Sequence, residues 1–226
     1  VGACTPDLCV IPHEELTEEF VRCGIDRDTI LPAGIPVRAA FREKGDRAAA
    51  RKALGLPSEG RHIVLMSGSI GCGPMSDVAE ELDIRMEKGD FASVLCGSNK
   101  QMRCTLELRR LRRVEAVGFT TEVPLYMDSA DVLVSKPGGI SITEAGSRGV
   151  PLLLADMVGG CETRNQEFFT AHGWASACPP EDMASAALRF LGDPAAASAL
   201  VAAQHRAFDG LAADRITRAV LDRCGK

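Results

Sequence analysis

The chain has 226 residues, more than one average domain needs and too few for two large ones. Apolar residues make up 46%, enough for a buried core, while a net charge of −5 offers no basic field for a phosphate polymer. Aromatics at 4%, with one Trp and one Tyr, are too sparse for the stacking platforms of a single-strand binder, so no nucleic-acid partner is expected.

The apolar runs resemble Val150–Ala155 in length and fall far short of the ~20 residues of a membrane span. No basic–apolar leader points to secretion. The first residue is Val1 and not Met, which predicts a fragment or a processed product. Nine cysteines form an odd set with no C-x-x-C pair, and His13, His62, His172 and His205 are scattered. No zinc spacing is present, and the expectation is reduced thiols in a cytoplasmic protein.

Strand-length apolar runs alternate with helical patterns. Leu8–Ile11 is the first run, and 14–23 reads as a short helix with Leu16, Phe20 and Val21 near one face. Ile30–Val37 is extended and broken by Pro32, Gly34 and Pro36, and the Ala-rich, charged stretch 42–60 predicts a helix and then a turn. His62–Met66 is continuously apolar, as in a strand covered on both faces. It meets a Gly-rich turn, and Met75, Val78, Ala79, Leu82 and Met86 then recur at helical spacing.

Phe91–Cys96 predicts the next strand, 99–113 a basic helix, Val114–Val117 a strand and Thr121–Ser129 a short helix or turn. Asp131–Ser135 predicts a strand, Ile140–Arg148 a helix stopped by Gly149, Leu152–Ala155 a strand, 162–172 a helix, and Ala175–Cys178 a last short strand. From 181 onward the pattern is Ala-rich helix with breaks near Gly192-Asp193-Pro194 and Gly210. This alternation implies an α/β, Rossmann-like parallel sheet with helices on both faces. Ligands of such sheets sit off the carboxyl ends of the strands, near a switch in strand order.

Two glycine-rich strand ends fit that position. Gly68, Gly71 and Gly73 fall as G-x-x-G-x-G, which is not the dinucleotide fingerprint, and no Gly-Lys-Ser/Thr of a Walker A occurs. Lys136-Pro137-Gly138-Gly139-Ile140-Ser141 is sharper, because two glycines precede a helix and let an anion approach its free amides. Glu144 lies five residues past Gly139, about 7.5 Å along a helix. A diphosphate at the helix tip would put an attached ribose beside that carboxylate, which can accept two hydroxyl hydrogen bonds. The alternative is a solvated Glu144 that favours the helix dipole. A third polar stretch, Gly159–Gln166, follows the strand 152–155.

In order along the chain, Gly118-Phe119, Ala130-Asp131, Lys136–Ala145, Gly149-Val150-Pro151 and Glu162-Thr163-Arg164-Asn165 form a spaced set. This set resembles glycosyltransferase family 28, with monogalactosyldiacylglycerol synthases and processive diacylglycerol glucosyltransferases the nearer relatives. The resemblance covers residues 30–180 well. It implies the C-terminal half of a GT-B fold, two Rossmann-like domains around a cleft, with the UDP-sugar bound by the C-terminal one. Under it, 1–40 would be a remnant of the acceptor domain plus the interdomain linker, and 41–226 the donor-binding domain.

The resemblance further implies residue roles. Arg38 and Ser69 would face the donor phosphates, and Gly118 and Phe119 the uracil. Gly138, Gly139 and Ser141 would hold the diphosphate at the helix start, Glu144 the ribose, and Glu162 and Asn165 the donor sugar. The family often has Gln before that Glu, where Cys161 stands here, so the sugar is not specified. Lys136 would sit at the cleft rim.

The implied activity is inverting transfer of a hexose, glucose or galactose, from UDP to a lipid such as diacylglycerol, with neither cofactor nor obligatory metal. The base would belong to the missing domain, so the chain alone would turn over negligibly. The stretch 99–113 holds Lys100, Arg103, Arg109, Arg110, Arg112 and Arg113 against Glu107. It reads as a solvated face or as a peripheral contact with an anionic membrane. Competing expectations are a UDP-sugar 2-epimerase-like enzyme and a non-catalytic nucleotide-binding subunit.

Overall fold

The structure is a computed structural model that describes residues 6–43, 45–66, 68, 73–156, 160 and 162–225. In chain order the strands and helices are β1 (Cys9–Ile11), α1 (Thr17–Arg22), β2 (Ile30–Pro32), α2 (Arg47–Leu54), β3 (His62–Met66), α3 (Met75–Arg85), β4 (Phe91–Leu95) and α4 (Lys100–Arg109). They continue as β5 (Val114–Val117), α5 (Val123–Ser129), β6 (Val132–Ser135), α6 (Gly139–Arg148), β7 (Leu152–Leu154), α7 (Thr163–Ala171), β8 (Ser176–Ala177), α8 (Met183–Leu191), α9 (Pro194–Ala207) and α10 (Ala212–Arg223).

Strands β3 to β8 form one parallel sheet in the order β5-β4-β3-β6-β7-β8. Every residue of β3, β4, β6 and β7 is buried, as their uninterrupted apolar runs require of strands covered on both faces. One core layer packs Met75, Leu82, Met102 and Met183 against one face of the sheet, and another packs Phe41, Met127, Ile142 and Trp174 against the other. The strand order reverses between β3 and β6, whose ends are aligned by the Met66–Ser135 register. A crevice at the carboxyl ends of these two strands is the ligand position of a doubly wound sheet.

The chain enters through a separate two-stranded parallel sheet, β1 with β2, joined by α1. Linker residues then lead to α2, which starts at an Asp46 N-cap and stops at Gly55, whose φ of +69° suits glycine. The last helix, α10, turns back to this entry unit. Arg42 pairs with Asp214, Arg215 donates to the Ala33 carbonyl at 3.4 Å, and the Ala212 methyl faces Gly34. From the other side α7 holds α1 through the two-pronged Arg164–Glu19 pair at 2.7 and 2.9 Å.

Two of the expected helices are shorter than the sequence pattern suggests. Residues 14–23 divide into a 3-10 turn, Glu14–Leu16, and α1. The basic helix ends at Arg109 because Arg110 takes a left-handed conformation with φ of 50°, and residues 111–113 then lead into β5.

Candidate functional site

Helix α6 begins directly at the crevice. Gly138 is its N-cap and has no side chain to cap with, and the first helical bond runs from the Ile142 amide to the Gly138 carbonyl at 3.1 Å. The amides of Gly139, Ile140 and Ser141 are therefore the ones that helix geometry leaves for an external acceptor. A Cβ at Gly138 would lie 3.3 Å from Glu162 Oε1 and 3.4 Å from Lys136 Nζ, so this backbone is approachable only because the residue is glycine. The Thr143 hydroxyl, one turn into the helix, donates back to the Gly139 carbonyl at 2.7 Å.

Glu144 stands one turn further along α6. Its side chain is only 8% exposed, so it is not the solvated dipole partner of the alternative reading. Arg38 Nε donates to Glu144 Oε1 at 3.3 Å, which brings linker and helix together across 106 residues of sequence. Burial raises the Glu144 pKa above the ordinary carboxylate range, and the nearby Arg38 guanidinium offsets only part of that rise. The guanidinium also lies 4.7 Å over the Phe41 ring, while the Arg38 side chain stays 63% exposed.

On the opposite side Lys136 and Glu162 form an ion pair of 2.6 Å. Lys136 is thus more than a rim residue. Its stem lies against Gly68 at the end of β3, where an added Cβ would meet Lys136 Cε at 2.8 Å. One side chain therefore spans both glycine-rich strand ends and reaches α7. Asn165, in the first turn of α7, donates to the Pro137 carbonyl at 2.9 Å and fixes that loop. Arg38, Gly138, Gly139, Ser141, Glu144, Glu162 and Asn165 are thereby gathered around the α6 start. Ser69, Cys161 and most of the first glycine-rich loop lie outside the described residues.

Gly118 and Phe119 follow β5 at the far edge of the same strand ends, and Phe119 is 74% exposed. Arg103 on α4, which the sequence places only in the basic stretch, lies beside Gly118. A Cβ on Gly118 would lie 2.8 Å from its guanidinium, which pairs with Glu107 at 2.8 Å. The end of the basic stretch contacts acidic α3. Arg109 pairs with Asp77 and Glu80, and the Asp83 carboxylate accepts the amides of Arg112 and Arg113. Burial raises the thiols of Cys96 and Cys178 to about 11, which leaves them without nucleophilic character.

The profile of the glycosyl transferases group 1 family matches residues 75–206, more than half of the sequence. The chain belongs to this glycosyltransferase family. Among curated glycosyltransferases it is 28% identical over 166 residues to the processive diacylglycerol beta-glucosyltransferase of Staphylococcus saprophyticus, covering 71% of this chain and 42% of the relative. It is 30% identical over 173 residues to the probable monogalactosyldiacylglycerol synthase 2 of Oryza sativa subsp. indica, covering 73% and 37%. The chain thus matches about two fifths of these relatives' length, and they are the lipid glycosyltransferases that the motifs resemble.

Solved structures show the same fold. A putative UDP-N-acetylglucosamine 2-epimerase from Listeria monocytogenes superposes with a TM-score of 0.71 at 17% identity, covering 97% of this chain and 60% of that one. Anabaena Alr3699/HepE in complex with UDP-glucose superposes with a TM-score of 0.60 at 16% identity, covering 96% and 64%. The parallel Rossmann-like sheet of the GT-B glycosyltransferases is therefore the architecture of this glycosyltransferase chain.

A cavity of about 800 Å³ opens beside the α6 start. It runs from Gly139 and Asn165 to an aromatic wall of Phe20, Phe168 and Trp174 between the entry unit and α7.

Proposed function

We propose that this chain is the donor-binding part of an inverting, UDP-sugar-dependent hexosyltransferase with a lipid acceptor such as diacylglycerol. The observation that carries the reading is the buried Glu144 carboxylate, held by Arg38 one turn behind the open amides of α6. A diphosphate would sit at those amides, where the helix dipole and N–H groups favour negative charge. Glu144 would accept the ribose hydroxyls, and Arg38 would swing to the phosphates. Gly118 and Phe119 would border the uracil, with Ser69 a further phosphate contact. Glu162 and Asn165 would meet the sugar.

The chemistry is displacement at the anomeric carbon. The acceptor oxygen bonds to that carbon as the bond to UDP breaks, and the acceptor proton passes to a base. That base is assigned to an acceptor domain of which residues 1–40 would be the last part. The helix amides and Arg38 stabilise the departing diphosphate, so the reading assigns the donor no obligatory metal or cofactor. The cavity, with its wall of Phe20, Phe168 and Trp174, would give a lipid acceptor room beside the sugar. Such an enzyme would work in the cytoplasm, peripherally at a membrane face, although Arg103 and Arg109 of α4 are engaged in ion pairs with Glu107, Asp77 and Glu80.

Isothermal titration with UDP and with NAD⁺ tests the proposal. Heat with UDP and none with NAD⁺ is expected, together with negligible transfer by the chain alone. Binding of NAD⁺ without UDP overturns it. The epimerase superposition favours a second reading, interconversion at C2 of a UDP-sugar, and turnover of UDP-N-acetylglucosamine by this chain would decide for it. Against it, His62 is buried at the amino end of β3 and His205 packs at Gly149, the far end of α6.

A further inference from the structure

His13 and His172 are too far apart in sequence to form any metal-ligand spacing, yet the fold brings them together with Glu15 on the side of the molecule where α7 meets the entry unit. One ring nitrogen of each histidine and one Glu15 oxygen lie within 4.8 Å of one another. His172 Nδ1 lies 2.7 Å from the Phe168 carbonyl, so that nitrogen carries the proton in the neutral ring. Nε2 then presents its lone pair, and it lies 3.0 Å from Glu15 Oε1. A bare lone pair and a carboxylate at that distance would repel, so the contact is one that a positive centre, a metal ion or the proton of an imidazolium, makes favourable. A backbone carbonyl that fixes the tautomer and turns the other nitrogen outward is the outer-shell arrangement of metal-bound imidazoles.

The rings are also held in place by packing. His172 stacks on Trp174 at 4.4 Å and lies 4.3 Å from Phe168, and His13 meets the same two rings edge-on at 5.2 and 5.7 Å. Two imidazoles and one carboxylate form a donor set suited to Zn²⁺ and its divalent neighbours, and Glu15, 58% exposed, leaves the fourth position to water.

We propose that His13, Glu15 and His172 bind a divalent transition-metal ion, Zn²⁺ in the first instance, which braces the entry unit against α7 beside the Arg164–Glu19 pair. Two ligands come from the 3-10 turn and its cap, and the third from the end of α7, so binding couples to the docking of these elements. The site lies away from the α6 start, at the aromatic end of the cavity that His13 also lines, and the binding test does not require the assigned activity. Without a metal, His13 Nδ1 caps the 3-10 turn by accepting the Glu15 amide at 3.3 Å, a long bond that His13 would give up on binding the metal and that Asn can replace.

The test uses the whole chain, stripped with chelator and titrated with ZnCl₂ by calorimetry and with CoCl₂ by visible absorption. Zn²⁺ is expected to bind one per chain and raise the melting temperature, and Co²⁺ to give the intense bands of a four-coordinate site. Glu15→Gln, His13→Asn and His172→Gln should each weaken Zn²⁺ at least about tenfold. Glu15→Gln is on an exposed side chain and tests the site without threatening the fold. Failure of the wild type to bind, or equal binding by Glu15→Gln, overturns the proposal. So does a cluster that responds to acid alone, which would make the cation between His172 and Glu15 a proton.

Discussion

Arg38 and Glu144 face each other at 3.3 Å, one on the linker and one in the middle of the largely buried helix α6, and each is the other's charge partner. The pair is easily opened. Arg38 is 63% exposed, and contacts of that kind contribute only ~0–1 kcal/mol. Glu144 is different, because it is buried and must keep a donor. Ribose hydroxyls can supply one when Arg38 leaves for the phosphates. A hydrogen bond to a charged acceptor contributes about 1.5–3 kcal/mol, or ~10- to 100-fold in affinity. Wild type should therefore prefer UDP over its 2′-deoxy analogue by a factor in that range if the 2′-hydroxyl makes that bond. Glu144→Gln should lose most of the preference, as read by calorimetry with the two nucleotides.

The same carboxylate gives a pH dependence. Burial raises the Glu144 pKa, and Arg38 opposes that rise. The ionised form is the better hydroxyl acceptor, so the UDP/deoxy-UDP affinity ratio should be constant above the raised pKa and fall as pH drops through it. The fall should come at higher pH than for an ordinary glutamate, and Arg38→Ala should move it higher still. Taking the ratio cancels the titration of the nucleotide phosphates. A ratio that is flat down to the usual glutamate range, or unmoved by Arg38→Ala, contradicts this.

Gly138→Ala separates site from fold. Gly138 has φ of −74°, which any residue adopts, so alanine adds no backbone strain. Its methyl would sit 3.3 Å from Glu162 Oε1 and 3.4 Å from Lys136 Nζ, and it would fill the approach to the α6 amides. The variant should melt within a few degrees of wild type and bind UDP at least ~10-fold more weakly, a loss of about 1.4 kcal/mol. Unchanged binding would show that the diphosphate does not sit at this helix start.

The strands were legible because burial on both faces leaves an unmistakable run, as in His62–Met66 and Val132–Ser135. The α6 start was legible because an anion needs consecutive small residues before a helix, and Gly138-Gly139 provide them. Side-chain partners were not legible. Lys136 meets Glu162, Arg109 meets Asp77 and His13 meets His172 only through the crossover connections, and nothing local in the sequence marks those pairs. Helix lengths erred where one residue broke the pattern without being Gly or Pro, as Arg110 does by turning left-handed.

Arg148 and Asp128 form a buried ion pair, 7% and 1% exposed, that ties the end of α6 to α5. Arg148 also donates to the Ala40 carbonyl at 2.9 Å, and Asp128 accepts the Gly45 amide at 3.0 Å, so the linker is fastened at the same point. Removing one partner strands the other charge, which costs about 3–5 kcal/mol. Asp128→Ala should lower the urea midpoint accordingly, whereas replacing both by apolar residues of similar size should recover much of the loss. Equal destabilisation by the single and double variants would mean that packing, and not the stranded charge, sets the stability here.

His62 supplies the acid limit of the fold. Its ring is fully buried, with Nδ1 2.9 Å from Ser129 Oγ and Nε2 2.8 Å from Ser93 Oγ, and it stacks on Phe91. Burial, reinforced by the nearby Arg51 charge, lowers its pKa to about 3, against about 6.5 in an unfolded chain. Below about pH 6.5 the unfolded chain takes up a proton that the folded one refuses, so this contribution to stability is complete above that pH and is lost as pH falls toward 3. The slope is about 1.4 kcal/mol per pH unit, or ~2 kcal/mol between pH 6.5 and 5. His62→Gln keeps polar atoms for the two serines but cannot titrate. It should be less stable than wild type at pH 7, and the gap should narrow by about 2 kcal/mol at pH 5 in urea denaturation. A gap that stays constant between the two pH values would mean that His62 accepts its proton without opening the sheet.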